Sequence, residues 1–371
     1  MLLGNYFKNI KKSYKKFYFS DISFNSSQIK KNNIFFAIRG NKIDGNNYIS
    51  SAIKNGAKII ITEDKTEGLK NNILYIKVKK IRKLLSEISF KINNTRPYNI
   101  IAVTGTNGKS SVADFYYQIL NLNNKKVASI GTLGVKSKNF KKKLTNTTID
   151  SIKLSKILSN LKKQKINHVI MEASSHGLEQ NRLDGLVFNT GIFTNLSQDH
   201  LDYHKNLNSY LKAKLYLFKN LIKKNGNVIT DQEIPEFKKL KKITVNRNLS
   251  LHTLSNIKNN FQLLSHKFQG EAQLLQIKYK NFTHTIKLNL IGKIQLKNVL
   301  MAVIAANKSN LSIDKIFKAV SKIKSVEGRF ERIGKLKNKS KVILDYAHTP
   351  DAFKTCLKNL REQFPDQKIS L

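Results

Sequence analysis

Cysteine occurs once in 371 residues, at Cys356, and tryptophan not at all. One thiol can neither close an internal disulfide nor build a zinc site, so Cys356 is read as a small buried apolar residue. Long apolar runs are missing too. Lys8, Lys11, Lys12, Lys15 and Lys16 interrupt the opening, which argues against a secretory leader, and no stretch approaches the ~20 apolar residues of a membrane span. A cytoplasmic protein with no membrane partner is expected. Acidic residues are scarce, 24 Asp and Glu against 67 Lys and Arg, for a formal charge of +43. That balance suits a polyanionic partner. The lysines, however, are spread along the whole chain among Asn and Ile, and no RNP pattern, zinc-finger spacing or basic region with heptads accompanies them. No nucleic-acid partner is expected.

The length and the 40% hydrophobic content suit two or three domains. Ile34–Ile38, Ala57–Ile61 and Ile73–Ile76 are short apolar runs around a helical stretch at Tyr48–Asn55, the pattern of a small α/β unit. A helix through Ile81, Leu84, Leu85 and Ile88 then leads to Pro97, one of only four prolines, where a boundary is placed. From Tyr98 strand-like and helical runs alternate, at Ile100–Val103, Val112–Leu120, Val127–Ile130, Ile152–Leu161 and His168–Met171. This rhythm predicts a doubly wound parallel sheet covered on both faces. Phe261–Leu290 reads as an antiparallel extension, and Leu296–Ala306 as a helix. Lys341–Asp345, Pro350–Leu360 and Ile369–Leu371 read as the opening βαβ of a third domain. The expected division is 1–97, 98–330 and 331–371.

The clearest chemical motif is Gly105-Thr106-Asn107-Gly108-Lys109-Ser110-Ser111, between the buried strand Tyr98–Val103 and a helical run. Glycines there let the backbone approach a phosphate, helix N–H groups point at its oxygens, Lys109 supplies a cation, and Ser110 a hydroxyl for Mg²⁺. The standard P-loop expression wants a glycine where Val103 stands. Two further stretches also follow strand-like runs and so emerge where doubly wound sheets bind ligands. They are Met171 to Arg182, containing Glu172-Ala173-Ser174-Ser175-His176, and Phe193 to His204, containing Asp199-His200-Leu201-Asp202. Ser209 to Phe218 lies on a helix bearing Tyr210 and Lys214.

Together these motifs resemble the Mur ligase superfamily, whose compact Gly-Thr-Asn-Gly-Lys-Ser loop is shared with folylpolyglutamate synthases. The wording Asp345-Tyr346-Ala347-His348-Thr349-Pro350 and the upstream Ser-Ser-His favour the tripeptide synthetases, which add the third residue of the peptidoglycan stem. The resemblance covers nearly the whole chain. It implies a three-domain α/β architecture, with a small N-terminal domain, a central P-loop domain and a truncated Rossmann-like C-terminal one. It also implies an ATP-dependent ligation, with Mg²⁺ held by Ser110, Glu172, His200 and a carbamylated Lys214. Asn298, Arg329 and Asp345 would join the loop in binding ATP. Phe24, Ser26, Asn41, Lys42, Ile43, Asn146, Thr147, Thr148, Ser174, Gln180 and Arg182 would bind UDP-MurNAc-L-Ala-D-Glu. The second substrate would be a diamino acid, meso-diaminopimelate in preference to L-lysine, and the protein a monomer.

Three departures accompany the likeness. Ser27 stands where the family has an arginine, Gln295 where an asparagine is usual, and the family's Asp-Asn-Pro-Arg motif is not in this sequence. The alternative readings are a remnant that binds nucleotide and substrate without catalysis, another ligase of the superfamily, and a basic P-loop ATPase acting on nucleic acid.

Overall fold

The computed structural model describes every residue except 9, 41–42, 139, 255–260, 339 and 371, and of Phe261 only the backbone. Two compact units are present. The first joins Met1–Arg96 to Ile149–Lys162 and Gln180–Leu186, and the second comprises Pro97–Thr148, Lys163–Glu179 and Val187–Leu371.

In the first unit β1 (Ile22–Ser23), β2 (Asn33–Phe36), β3 (Ala57–Thr62), β4 (Gly68–Lys70) and β5 (Ile73–Lys77) form one sheet, ordered β1-β2-β3-β5-β4. All neighbours are parallel except the β4–β5 pair. The period of two sorts its apolar residues onto two faces. Ile34, Phe36, Ile59, Ile61, Leu74 and Ile76 pack with Ile81, Leu85 and Ile88 of α2 (Ile81–Ile92), while Phe35, Ile60 and Ile73 pack with Ala52 of α1 (Ile49–Lys54). One register step would exchange the two cores, so the pairing is tightly specified.

The second unit opens with β6 (Asn99–Thr104), α3 (Lys109–Leu122), β7 (Val127–Gly131), β8 (Gly134–Ser137) and β9 (Phe140–Lys142). After α4 (Ser151–Lys163), which lies almost wholly in the first unit, come β10 (His168–Glu172), α5 (Ser175–Glu179) and β11 (Phe188–Phe193). Then follow α6 (Leu201–His204), α7 (Leu207–Tyr216), β12 (Ile222–Thr230), α8 (Phe237–Asn246) and β13 (Ser250–Thr253). The sheet order is β13-β12-β11-β6-β10-β7-β8-β9. Pairing is parallel from β13 to β7 and antiparallel at β8 and β9, so the predicted parallel sheet carries a mixed edge. Because β10 and β11 flank β6 on opposite sides, the chain reverses its winding there. Crevices at the carboxyl ends of such strands are where open α/β sheets take ligands.

Helix α3 is buried on most of its circumference, at Val112, Phe115, Tyr116, Ile119 and Leu120. It shares one core with the sheet and with α9 (Lys293–Asn307), itself buried nearly throughout. The stretch from Phe261 forms a separate antiparallel sheet of β14 (Phe261–Gln269), β15 (Ala272–Tyr279) and β16 (Phe282–Leu288). Its Leu275, Ile277, Ile286 and Leu288 join that core, together with Ile316 and Phe317 of α10 (Ile313–Val320). Near the C-terminus β17 (Glu331–Lys335) pairs antiparallel with β18 (Lys341–Leu344), ahead of α11 (Pro350–Gln363). The predicted last strand is not formed at residues 369–370, and Leu371 lies outside the described residues. Ile369 instead packs with Ile291, Phe330, Leu360 and Phe364, and Cys356 touches the same cluster. Among the described residues no helix is long and apolar enough to cross a membrane.

His252 on β13 is partly buried and its Nε2 lies 3.0 Å from Asn227 Oδ1. Burial, then the charge of Lys308, lowers its pKa from the ordinary 6.5 to about 4. The unfolded chain therefore binds a proton below 6.5 that the fold refuses until about 4, and stability falls as pH drops through that window. Discounted for partial exposure, this histidine accounts for roughly 1–2 kcal/mol at the acid end. His252→Gln should flatten the decline of the melting temperature between those pH values; an unchanged slope would refute the assignment.

Candidate functional site

The site lies at the carboxyl ends of β6, β10 and β11, which the pairings Glu172 with Val103 and Phe193 with Thr104 bring side by side. Thr104 ends β6, and the backbone turns through Gly105 (φ +144°) and Gly108 (φ +86°) into α3. Both angles disfavour a side chain. Space forbids one as well: a Cβ on Gly105 would strike Thr194 Oγ1, and one on Gly108 would lie 2.6 Å from Asn298 Oδ1. Asn298 thus sits directly behind the loop, and its amide donates to Gln295.

The segment after β11 staples this loop. Asn195 accepts from Asn107 N (2.9 Å) and Thr106 N (3.0 Å), and Thr194 Oγ1 donates to Asn107 O (2.6 Å). Ser197 N donates to Thr106 Oγ1 (3.0 Å). The turn is held from outside, so the unpaired N–H groups of the first turn of α3 are left for an anion.

Two lysines converge on one carbonyl. Lys109 Nζ donates to Gly105 O (3.0 Å) and Thr106 O (2.7 Å), and Lys214 Nζ donates to Gly105 O (2.7 Å). Lys214 is 1% exposed, and its Nζ stands 4.1 Å from the centre of the Tyr210 ring, one helical turn earlier on α7. Burial, then the Lys109 charge, pushes the Lys214 ammonium well below its ordinary pKa, with Asp199 opposing. Lys109 is lowered by burial first and also by Arg329, while Glu172 and Asp199 pull it back up. Burial raises the Tyr210 hydroxyl to about 12.

Glu172, 3% exposed, ends β10. Its Oε1 accepts from Thr132 N (2.8 Å) and its Oε2 from Thr132 Oγ1 (3.2 Å). Thr148 Oγ1 donates to Glu172 O and accepts from Ser174 N, both at 2.9 Å. His200 adopts a left-handed φ of +53°, its backbone N–H donating to Asp199 Oδ1 and its ring half-exposed. That ring lies 4.9 Å from His176. His204 is buried, with Nε2 2.9 Å from Ser175 Oγ; burial, then His176, Lys214 and His200, lower its pKa to about 4.

From the C-terminal part, Arg329 lies 4.7 Å from the Tyr346 ring centre, and Asp345 Oδ2 accepts from Phe330 N (2.9 Å). Burial raises the Asp345 carboxyl. The resulting cleft, about 180 Å³, is lined by Thr106, Asn107, Gly108, Lys109, Ser110, Thr147, Glu172, Ser174, His200, Lys214 and Arg329, all expected from the sequence, and also by Thr132, Ser175, Asp199, Tyr210, Tyr346 and His348, which were given no role there. Gly105, Ser111, Asn298, Asp345 and Thr148 stand in the same unit outside that lining, and Asn146 is exposed.

Other expected residues fall in the first unit. Phe24 and Ile43 are exposed, and Ser26 opens a short 3₁₀ turn capped by Asn25. Arg182 donates twice to Gln180 Oε1. Asn41 and Lys42 lie outside the described residues. Sequence reasoning passed over Thr132, Asn195, Asp199 and Tyr346 as site residues. The rule that located Glu172 would also have found Thr132 and Asn195, since each follows the end of a parallel strand.

The donor set suits Mg²⁺ in chemistry. Glu172 uses two of the roughly four acceptor positions of a carboxylate, and Ser110 adds a hydroxyl oxygen; hard oxygens are what Mg²⁺ prefers. Two ammonium groups on one carbonyl would repel such an ion, whereas a carbamate on Lys214 would attract it. Among the described residues no cluster of three or more His, Cys, Asp or Glu is arranged for a metal.

Residues 103–306 match the family described as "Mur ligase middle domain", residues 19–91 "Mur ligase family, catalytic domain", and residues 328–371 "Mur ligase, glutamate ligase domain". A protein of Rickettsia montanensis named UDP-N-acetylmuramoyl-L-alanyl-D-glutamate--2,6-diaminopimelate ligase is 35% identical over 368 residues, 98% of this chain and 75% of its own length. A protein of the same name from Fusobacterium nucleatum is 38% identical over 339 residues, 90% and 67% of the two lengths. A solved structure of a ligase so named superposes with a TM-score of 0.82 at 25% identity, over 97% of this chain and 74% of that one. By sequence, fold and the loop at Gly105–Ser111 alike, the chain belongs to the Mur ligase family.

Proposed function

We propose that this chain is an ATP-dependent amide ligase that joins a diamino acid, meso-diaminopimelate in preference to L-lysine, to UDP-MurNAc-L-Ala-D-Glu. The observation that carries the reading is the convergence of Lys109 and Ser110, Glu172, Lys214 and Arg329, from four separate segments, on one cleft beside a glycine turn. The γ-carboxylate of the D-glutamyl residue attacks the γ-phosphorus of ATP, releasing ADP and leaving an acyl phosphate. The amine then adds to the acyl carbon, phosphate departs, and an amide forms with loss of a proton. Little covalent work falls to the protein. Loop N–H groups and Lys109 hold the phosphates, Arg329 adds positive charge opposite them, and Asn298 and Asp345 serve the nucleoside. Ser110, Glu172, His200 and a carbamylated Lys214 would hold Mg²⁺, whose chemistry is to neutralise charge on the phosphoryl oxygens. Phe24, Ser26, Asn41, Lys42, Ile43, Asn146, Thr147, Thr148, Ser174, Gln180 and Arg182 are assigned to the muramoyl-peptide substrate on the family resemblance. The division at residues 97/98 and 330/331 belongs to the same reading.

The test is incubation with UDP-MurNAc-L-Ala-D-Glu, Mg-ATP and either diamino acid, scoring phosphate and tripeptide. Stoichiometric phosphate and product are expected with diaminopimelate. Nucleotide binding without product from either amine would sink the catalytic claim. ATP hydrolysis stimulated by DNA or RNA without the muramoyl dipeptide would replace it with nucleic-acid chemistry.

A further inference from the structure

Thr132, one residue beyond β7, spends both of its hydrogen-bond donors on the same carboxylate. Its N–H reaches Glu172 Oε1 at 2.8 Å and its hydroxyl reaches Oε2 at 3.2 Å. Two donors from one residue to both oxygens fix the carboxylate plane as well as its position, which one bond would leave free to turn. The strand end is shaped around that group: a Cβ on Gly131 would collide with the Glu172 carboxylate, with Cδ only 2.6 Å away. Pairing of β7 with β10, Ile130 beside Met171, brings the two strand ends together.

The hydroxyl contact with Thr147 Oγ1 at 3.0 Å acquires a direction from this clamp. A threonine hydroxyl has one hydrogen, and an ionised carboxylate only accepts. Thr132 gives its hydrogen to Glu172, so Thr147 must donate to Thr132. Thr147 lines the cleft and is left with lone pairs to offer there.

We propose that Thr132 is a positioning residue of the ligase reaction, holding the Glu172 carboxylate in the orientation that receives a divalent cation and setting Thr147 as a hydrogen-bond acceptor toward the substrate. This rests on the assignment of Glu172 to the metal. Residues that orient a ligand are worth about ten- to a hundredfold in metal affinity or activity. Thr132 acts at that level, through its two bonds to Glu172.

The experiment uses the full chain and Mn²⁺ as a spectroscopic probe, with and without a non-hydrolysable ATP analogue, alongside Mg²⁺ titrations of turnover. Thr132→Val should weaken Mn²⁺ binding and raise the half-saturating Mg²⁺ concentration by about ten- to a hundredfold. Thr132→Ser, which keeps the hydroxyl, should restore most of the loss. Gly131→Ala, which crowds the carboxylate at Oε1, should shift both quantities in the same direction as Thr132→Val. A purely structural role would lower the melting temperature without moving the metal dependence. Folded Thr132→Val and Gly131→Ala proteins with wild-type Mn²⁺ affinity and Mg²⁺ dependence would overturn the proposal; if Thr132→Val does not fold, Gly131→Ala decides. A wild-type protein that binds no Mn²⁺ and needs no Mg²⁺ would instead overturn the assignment of Glu172, and the role of Thr132 with it.

Discussion

Lys214→Met should abolish turnover, by on the order of a thousandfold in kcat, in a protein that stays folded and still binds nucleotide. The wild-type side chain is 1% exposed, bonded to Gly105 O and stacked on Tyr210, with the Lys109 ammonium reaching the same carbonyl. A second full positive charge is unfavourable there, and burial together with Lys109 holds the amine below its ordinary pKa. Only a neutral amine adds CO₂. The nitrogen lone pair forms the N–C bond, one proton leaves, and the product is an anionic carbamate. Such a change would convert a group that repels a divalent cation into one that attracts it. Methionine fills similar space without the nitrogen, and exchanging a buried charge for an apolar group is often neutral or stabilising. Three measurements separate this from a packing defect. The melting temperature should not fall, native mass spectrometry should show one added CO₂ on the wild type alone, and wild-type activity should drop on CO₂ removal and return with bicarbonate. Turnover by Lys214→Met within tenfold of wild type would rule the carbamate out.

Gly105→Ala is the second large effect expected, a loss of at least a hundredfold in nucleotide affinity and about 2–3 kcal/mol of stability. Gly105 holds φ +144°, and the added methyl would enter the space of Thr194 Oγ1. That hydroxyl anchors Asn107 O at 2.6 Å, so relieving the clash detaches the loop from β11. The same shift carries away the carbonyl on which both lysines converge. Gly270→Ala provides the control: its φ is +60°, with no atom within 4 Å of an added Cβ. Strain alone should then cost about 1–2 kcal/mol and leave nucleotide binding intact. Equal effects of the two substitutions on nucleotide affinity would mean that loop shape is not what Gly105 protects.

The local pieces of this fold were legible from order and period. The run Asn99–Val103, the glycine turn and the periodicity of Val112, Phe115, Tyr116 and Ile119 predict a strand, loop and helix, and β6 and α3 follow that reading. The placement of Glu172 at a strand end was equally legible, because an apolar run that stops at a carboxylate announces where the strand leaves the core. The missing strand at residues 369–370 was not, since an apolar pair carries no sign of whether a neighbouring strand stands ready to pair with it. Ile369 finds a packing partner instead.

By itself the sequence determined the identity of the phosphate loop, the strand ends that carry Glu172 and the Asp199-His200 segment, and membership of a ligase family, because backbone conformation and chemistry at these places are set by residues close together in the chain. Tertiary structure alone decided the rest. Lys109 and Lys214 share the Gly105 carbonyl, Asn195 staples the loop from across 88 residues, and Thr132 clamps Glu172 from 40 residues away. Which hydroxyl faces which carboxylate depends on strand order, and β10 stands between β6 and β7 only once the whole sheet has formed.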